Sequence, residues 1–200
     1  MIDNIELIKP LLNFSEPGDF YYCLILKRKK DQPEGERDNH QSVRTIKTYC
    51  VESIEYLEKR YDEIKQLCEM FKARAYIHVQ KQNHRDVSLN MMVALAQKIQ
   101  DGNHKQQGLF DSVVGQIKTL EKNWVVDIDL KDRLFCEEVA EFINTLKPEG
   151  DKIKTAIPTK NGYHLITKRF DVKTFSEIYP EIQIQKKNPT LLFLPKSLEL

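Results

Sequence analysis

The chain has 200 residues, 40% hydrophobic and 30% charged, with a formal net charge of +1. That length suits one sizeable domain or two small modules, and so balanced a charge argues neither for nor against a nucleic-acid partner. Four scattered cysteines with no C-x-x-C pair exclude a zinc ribbon or a dithiol redox motif, and neither a basic leader nor a run of about 18 apolar residues marks a signal peptide or a membrane helix. The thiols read as reduced core residues of a cytoplasmic protein.

Residues 2–14 carry Ile5, Leu7, Ile8, Leu11 and Leu12, a short helical or irregular cap, and Pro17-Gly18 marks a turn. Phe20 to Lys27 reads as a strand, residues 28–42 as a polar loop, and Val43 to Val51 as the returning strand of a hairpin. Ser53 has the character of an N-cap, and Ile54, Leu57, Tyr61, Ile64, Leu67, Cys68 and Phe71 after it repeat with helical spacing. Ala73 to Val79 reads as a strand, Val87 to Gln100 as a helix with Met91, Leu95 and Ile99 on one face, and Phe110 to Leu120 as a shorter helix. His84-Arg85-Asp86 resembles a kinase catalytic loop only superficially. Its Asn90 falls one residue out of place, and no Walker A, G-x-G-x-x-G or D-F-G accompanies it.

The second half is more regular. Residues 124–129 form an apolar strand, 132–146 a helix stopped by Pro148-Glu149-Gly150, and 152–157 a strand. Pro158-Thr159-Lys160-Asn161-Gly162 is a turn, 163–167 a returning strand and 172–179 a short helix. Residues 181–185 and 190–194 are short strands. This β-α-β-β-α-β order is the ferredoxin-like, or RRM-like, arrangement plus one extra strand. The predicted class is therefore α/β (α+β), with such a core over about 120–194 packed on an N-terminal α/β module (1–119), the two forming one compact unit.

Asp127 and Asp129 end the apolar strand at i and i+2, on one face, with Trp124, Val126, Ile128 and Leu130 on the other. Two adjacent carboxylates repel each other, and a divalent cation is the usual remedy. A strand whose acidic end simply reaches solvent is the plainer alternative. The predicted topology brings the starts of the third and fourth strands beside that end, and with them His164, Glu181 and Gln183. His164 follows a turn holding Thr159, Lys160 and Gly162, where a histidine can donate to a nucleotide phosphate and a glycine lets it approach the backbone. The alternative there is an exposed turn histidine. Residues 150–196 hold nine Lys or Arg against four acids, Lys186 among them, so this half is locally basic, as a polyanion-binding surface or an ordinary solvated one.

Val125-Val126-Asp127-Ile128-Asp129 followed by Gly162-Tyr163-His164 resembles the catalytic core of the archaeo-eukaryotic primase (primase-polymerase) superfamily, whose members include phage and mobile-element enzymes. The resemblance covers about 120–194. It implies metal-dependent nucleotidyl transfer in DNA replication or priming. Asp127 and Asp129 would hold Mg2+ or Mn2+, and His164, with Thr159, Lys160, Gly162 and Lys186 around it, would contact a nucleoside triphosphate. Implied partners are single-stranded or primed nucleic acid and replication proteins such as a helicase, in the cytoplasm of a cell or of a phage's host. The family keeps a third carboxylate on a later strand, and here the positions nearest Asp127 hold Gln183 or Gln185, Gln183 being the expected one, with Glu181 or Asp171 as substitutes. A neutral amide is a poor replacement at a two-metal site. That departure leaves open a weakened enzyme, a non-catalytic accessory protein that binds nucleotide or nucleic acid, or a metal-dependent nuclease using Gln185-Lys186-Lys187.

Overall fold

The computed structural model describes residues 1–32, 43–117 and 122–198. The predicted loop residues 33–42 and the end of the predicted helix at 118–120 lie outside them. Among the described residues the fold is mixed α and β, with all strand pairs antiparallel in two sheets. Among the described residues no helix is long and apolar enough to cross a membrane.

The first half supplies β1 (Ile2–Asp3), α1 (Ile5–Ile8), β2 (Asp19–Arg28), β3 (Val43–Val51), α2 (Ile54–Phe71), β4 (Arg74–Ile77), β5 (Gln82–Asn83), α3 (His84–Gln100) and α4 (Leu109–Gln116). Ser53 caps α2 as its sequence suggests, its side chain accepting from the Tyr56 amide. Helix α3 starts three residues earlier than the apolar periodicity indicates. Asn83 caps it, accepting from the Arg85 amide, and a cap is chosen by side-chain chemistry rather than by the apolar repeat. Alternation along β2 divides its side chains. Tyr21, Cys23 and Ile25 join the core that contains Leu57, Tyr61, Ile64 and Cys68 of α2. Phe20 and Tyr22 pack with Val87, Val113 and Val114 of α3 and α4.

The second half gives β6 (Trp124–Ile128), α5 (Arg133–Thr145), β7 (Ile153–Pro158), β8 (Tyr163–Thr167), α6 (Val172–Ile178), β9 (Gln183–Gln185) and β10 (Thr190–Leu194). The second sheet has the order β7-β8-β6-β9, so β8 and β9 flank β6. Trp124, Val126 and Ile128 are buried with Cys136, Val139 and Ile143 of α5 and Phe175 of α6. Leu130, expected on that face, lies beyond the strand and is 48% exposed. The opposite face of β6 is not simply acidic. Val125, with Ile157 and Ile166, is fully buried in the core shared with Ile77, Val79 and Leu192 of the first half. Each such aliphatic contributes about 1.5–3 kcal/mol on burial, so this contact welds the two sheets.

The extra strand β10 belongs to the first sheet, between β1 and β4. The chain therefore crosses from the second sheet to the first between Gln185 and Thr190. Buried polar side chains tie the halves at the crossing. Asn4 donates to the carbonyls of Pro158 and Leu191, each at 2.9 Å. Asn123 donates to the Val79 carbonyl at 2.7 Å, and Gln80 donates to the carbonyls of Asn123 and Lys186. Each satisfies carbonyls that would otherwise be costly to bury.

Candidate functional site

The end of β6 opens into a cleft between the sheets. Asp127, Asp129, His164 and the turn residues Thr159, Lys160 and Asn161 line it from the second sheet. Arg28, Arg74, Tyr76 and Leu191 line it from the first. The cleft continues past Asp127 and His164 to Leu26, Val43, Gln185, Asn188 and Pro189.

Asp127 is the centre. Its register partner on β8 is His164 and its register partner on β9 is Gln183. Residues directly opposite on antiparallel strands project to one face, so His164 meets Asp127: Nε2 lies 3.3 Å from Oδ1. A carboxylate only accepts, so Nε2 carries the proton. The other ring nitrogen, Nδ1, lies 3.0 Å from the Thr190 hydroxyl, which is fully buried at the start of β10. His164 itself is 9% exposed, so it is held on both sides rather than displayed on a turn. The remaining oxygen of Asp127, Oδ2, accepts from Gln185 Nε2 at 3.0 Å. Hydrogen bonding by His164 holds the Asp127 carboxyl below the usual carboxylate range. Burial opposes this, while the charge of His164, the Gln185 bond and the charge of Arg28 assist it.

The cations of the cleft come mainly from the first half. Arg74 is 5% exposed and ion-paired with Asp31, and its Nε has no hydrogen-bond partner among the described residues. Arg28 lines both parts of the cleft and donates to the Tyr76 hydroxyl at 3.1 Å. Composition of the second half suggests a basic surface there, but only Lys160 of its cations lines the cleft. Lys152 is 2% exposed and donates to the carbonyls of Asn144 and Gly150 behind α5. Lys187 donates to the Gln116 carbonyl at the end of α4. Lys186, expected at the nucleotide, lies over the Trp124 ring, on the helix-bearing face and away from Asp127.

Gly162 is close to backbone, but to the chain's own. A Cβ there would lie 1.9 Å from the Ile128 carbonyl oxygen, so the space expected to receive a phosphate is filled by the end of β6. The turn is closed by Thr159 N–H donating to the Gly162 carbonyl at 2.8 Å and Gly162 N–H donating to Thr159 Oγ1 at 3.1 Å.

The position next to Asp127 on β9 is Gln185, not Gln183. Gln183 is opposite Asp127 in register yet exposed and outside the cleft lining. Gln185 projects on the same face and reaches back along the diagonal, a span open to a long side chain. Neither substitute acid comes near. Asp171 caps α6, accepting from the Lys173 and Thr174 amides and from the Thr174 hydroxyl. Glu181 is exposed before β9 begins. Among the described residues no group of three or more His, Cys, Asp or Glu is disposed to hold a metal ion. Comparison with protein-family models, curated proteins and solved structures finds no match.

Sequence reasoning missed Arg28, Arg74, Thr190 and Asn188, and it set Gln183 ahead of Gln185. The four consecutive cations Lys27-Arg28-Lys29-Lys30 were a local signal for the first. The others become visible only once β10 is placed in the first sheet.

Proposed function

We propose that the chain is a primase-polymerase-like protein whose second half is a ferredoxin-like, RRM-like unit. It holds the phosphates of a nucleotide in the inter-sheet cleft and transfers nucleotidyl groups weakly or not at all. The observation that carries the reading is the pairing of Asp127 with His164 at the mouth of a cleft lined by Arg28, Arg74 and Lys160. Arg28 and Lys160 enter from opposite walls, a disposition suited to a polyanionic group. The buried Arg74 adds an N–H donor that has no partner among the described residues, in a place of low dielectric. His164, fixed by Thr190, offers one orientation of its ring to whatever displaces or bridges to Asp127.

When bound, divalent metal supplies charge neutralisation and clamping of the attacking and leaving oxygens. The donor set does not fit a pair of such ions. Both oxygens of Asp127 already face donors, Asp129 lies exposed beyond β6, and the third-acid position carries an amide. For that reason binding is favoured over transfer, and the accessory-protein reading stands closer to the geometry than a full polymerase. The nuclease reading needs the lysine of Gln185-Lys186-Lys187 beside the acids, and Lys187 is instead tied to α4.

The test is calorimetric titration of a nucleoside triphosphate into wild-type protein and the variants Arg28→Gln and Lys160→Gln, with primer extension assayed alongside. Wild type should bind and each variant should lose about tenfold in affinity, as expected for one charge-assisted phosphate contact. Extension should be slow or absent in wild type. No binding by wild type, or binding indifferent to both cations, sinks the reading.

A further inference from the structure

Helix α3 has two apolar faces. Val87, Met91, Ala94 and Leu95 pack inward with Phe20 and Tyr22 of β2 and with α4. Leu89, Met92, Val93, Ala96 and Ile99 follow one another at i, i+3, i+4, i+7 and i+10 and form a second stripe on the outer side. Ala96 is exposed, and the four larger side chains are each between 51% and 70% exposed. Ile99, expected on the inner face with Met91 and Leu95, falls on this outer stripe because four residues overshoot a helical turn by about 40°. A helix apolar on both sides is ordinarily covered on both sides. The charge pattern agrees. No charged residue occurs over 87–97, in a chain that is 30% charged. The outer face of α2, which is solvated, carries Glu55, Glu58, Lys59, Asp62 and Glu69. Depletion of charge together with enrichment in Met is the composition of an interface core rather than of a solvated face.

We propose that the outer face of α3 is the interface of a homodimer, in which a second copy of the chain packs its own α3 antiparallel about a two-fold axis near residue 94. That register is self-complementary. Leu89 lies opposite the partner's Ile99, and Met92 opposite the partner's Ala96, whose small side chain leaves the hollow that a Met fills. The helix ends agree in charge. Asp86 and Lys98 suit the poles of their own helix, but Arg85 and Asp101, at the same ends, are repelled by them. An antiparallel partner reverses the poles. Arg85 then comes within about 3 Å, measured along the axis, of the partner's Asp101 and of the last carbonyls of that helix. A parallel pair would instead set Arg85 against Arg85 and Asp101 against Asp101. A membrane surface would want the stripe flanked by Lys and Arg, and Asp86 and Asp101 stand there as well as Arg85. With the adjoining groove between Val93 and the α4 residues Val113 and Ile117, the stripe still supplies fewer residues than the roughly 20–30 a side of a standard interface, so the dimer is a weak one, in the micromolar range. None of the stripe residues lines the inter-sheet cleft, and the dimer is independent of what the cleft binds.

Sedimentation velocity of the full chain, from low micromolar to near-millimolar concentration, tests the association. Wild type should pass reversibly from monomer to dimer. Met92→Glu and Val93→Glu should each weaken dimerisation about a hundredfold, because two-fold symmetry makes every substitution count twice. Both side chains are exposed in the single chain, so the circular dichroism of the dilute variants should match that of dilute wild type. Arg85→Glu should weaken the dimer, and Arg85→Glu combined with Asp101→Arg should restore it. Cross-linking reads the register. A short bis-maleimide should join Leu89→Cys to Ile99→Cys in an equimolar mixture, above the wild-type background. Leu89→Cys alone should not be joined, since its two copies lie about 15 Å apart along the axis. A monomer at every concentration overturns the proposal, as does a dimer that both glutamate variants leave intact. Wild-type monomer that binds vesicles of anionic lipid, with binding lost in Met92→Glu, would overturn it in favour of a membrane surface. Cross-linking of Leu89→Cys to itself would overturn the antiparallel register.

Discussion

Replacing Gly162 with alanine should destabilise the protein and deform the site at once. The added Cβ would meet three backbone atoms: Ile128 O at 1.9 Å, Leu130 N at 2.6 Å and Leu130 O at 2.9 Å. No side-chain rotation relieves a clash with backbone, so either the turn after β7 or the end of β6 must move. Overpacking costs typically about 1–3 kcal/mol, and a backbone obstacle argues for the top of that range, about 3 kcal/mol. For a chain of this size each kcal/mol shifts Tm by roughly 2–4 °C, so the expected fall is about 6–12 °C. The segment obstructed is the one that carries Asp127 and Asp129, so nucleotide affinity should drop even well below Tm. Thermal unfolding by circular dichroism, with nucleotide titration at low temperature, reads both effects. A Tm within about 2 °C of wild type would refute the reasoning, because it would mean that the turn yields without cost.

Acid sensitivity should report on His78. Burial pushes its imidazole down to about 4, against a weaker opposing hydrogen bond to the Lys187 backbone. The unfolded chain takes up this proton near pH 6.5, before the folded one does. The contribution is therefore intact above that pH and lost as pH falls from about 6.5 to about 4, by on the order of 2–3 kcal/mol. Asp127 and Asp19 have lowered pKa values and lose their contributions only below the ordinary carboxylate range, so urea titrations between pH 7 and 4.5 isolate the histidine. If His78→Gln keeps the wild-type slope over that window, the assignment is wrong. Asp31→Ala leaves the buried Arg74 without its partner and should cost about 3–5 kcal/mol, while Asp31→Ala combined with Arg74→Met should recover most of that, as denaturant midpoints would show. Equal stability of the single and double variants would count against the buried pair. Asn4→Ala removes the donor to two carbonyls on opposite sheets and should cost about 2–4 kcal/mol, with hydrogen exchange rising at the ends of both β7 and β10; exchange rising at neither end would contradict the staple.

The local elements were legible in the sequence because their determinants are local. Ser53 and Asp132 cap helices through their own side chains, and the apolar repeats after them fix which faces are buried. The alternation around Trp124-Val125-Val126-Asp127 identifies a strand, and the antiparallel flanking of that strand by the third and fourth strands of its half follows from their order along the chain. Asp127, His164, Thr159 and Lys160 could all be named as neighbours on that basis. What sequence could not supply is what lies across the cleft. Thr190–Leu194 looks like any short apolar strand, and nothing within it says that it pairs with β1 and β4 rather than with β9. That choice is made by long-range packing of Leu192 and Phe193 in the first core and by buried amides such as Asn4. The same choice sets Thr190 beside His164 and seats the loop that holds Gln185. The distinction between Gln183 and Gln185 is also tertiary, since the two share one face of one strand and only diagonal reach separates them. By itself the sequence determined the strand, its acid and its histidine. The tertiary structure decided which amide faces that acid, which cations share its cleft, and that Gly162 serves the chain's own backbone, because each depends on contacts between residues far apart in sequence that no local pattern encodes.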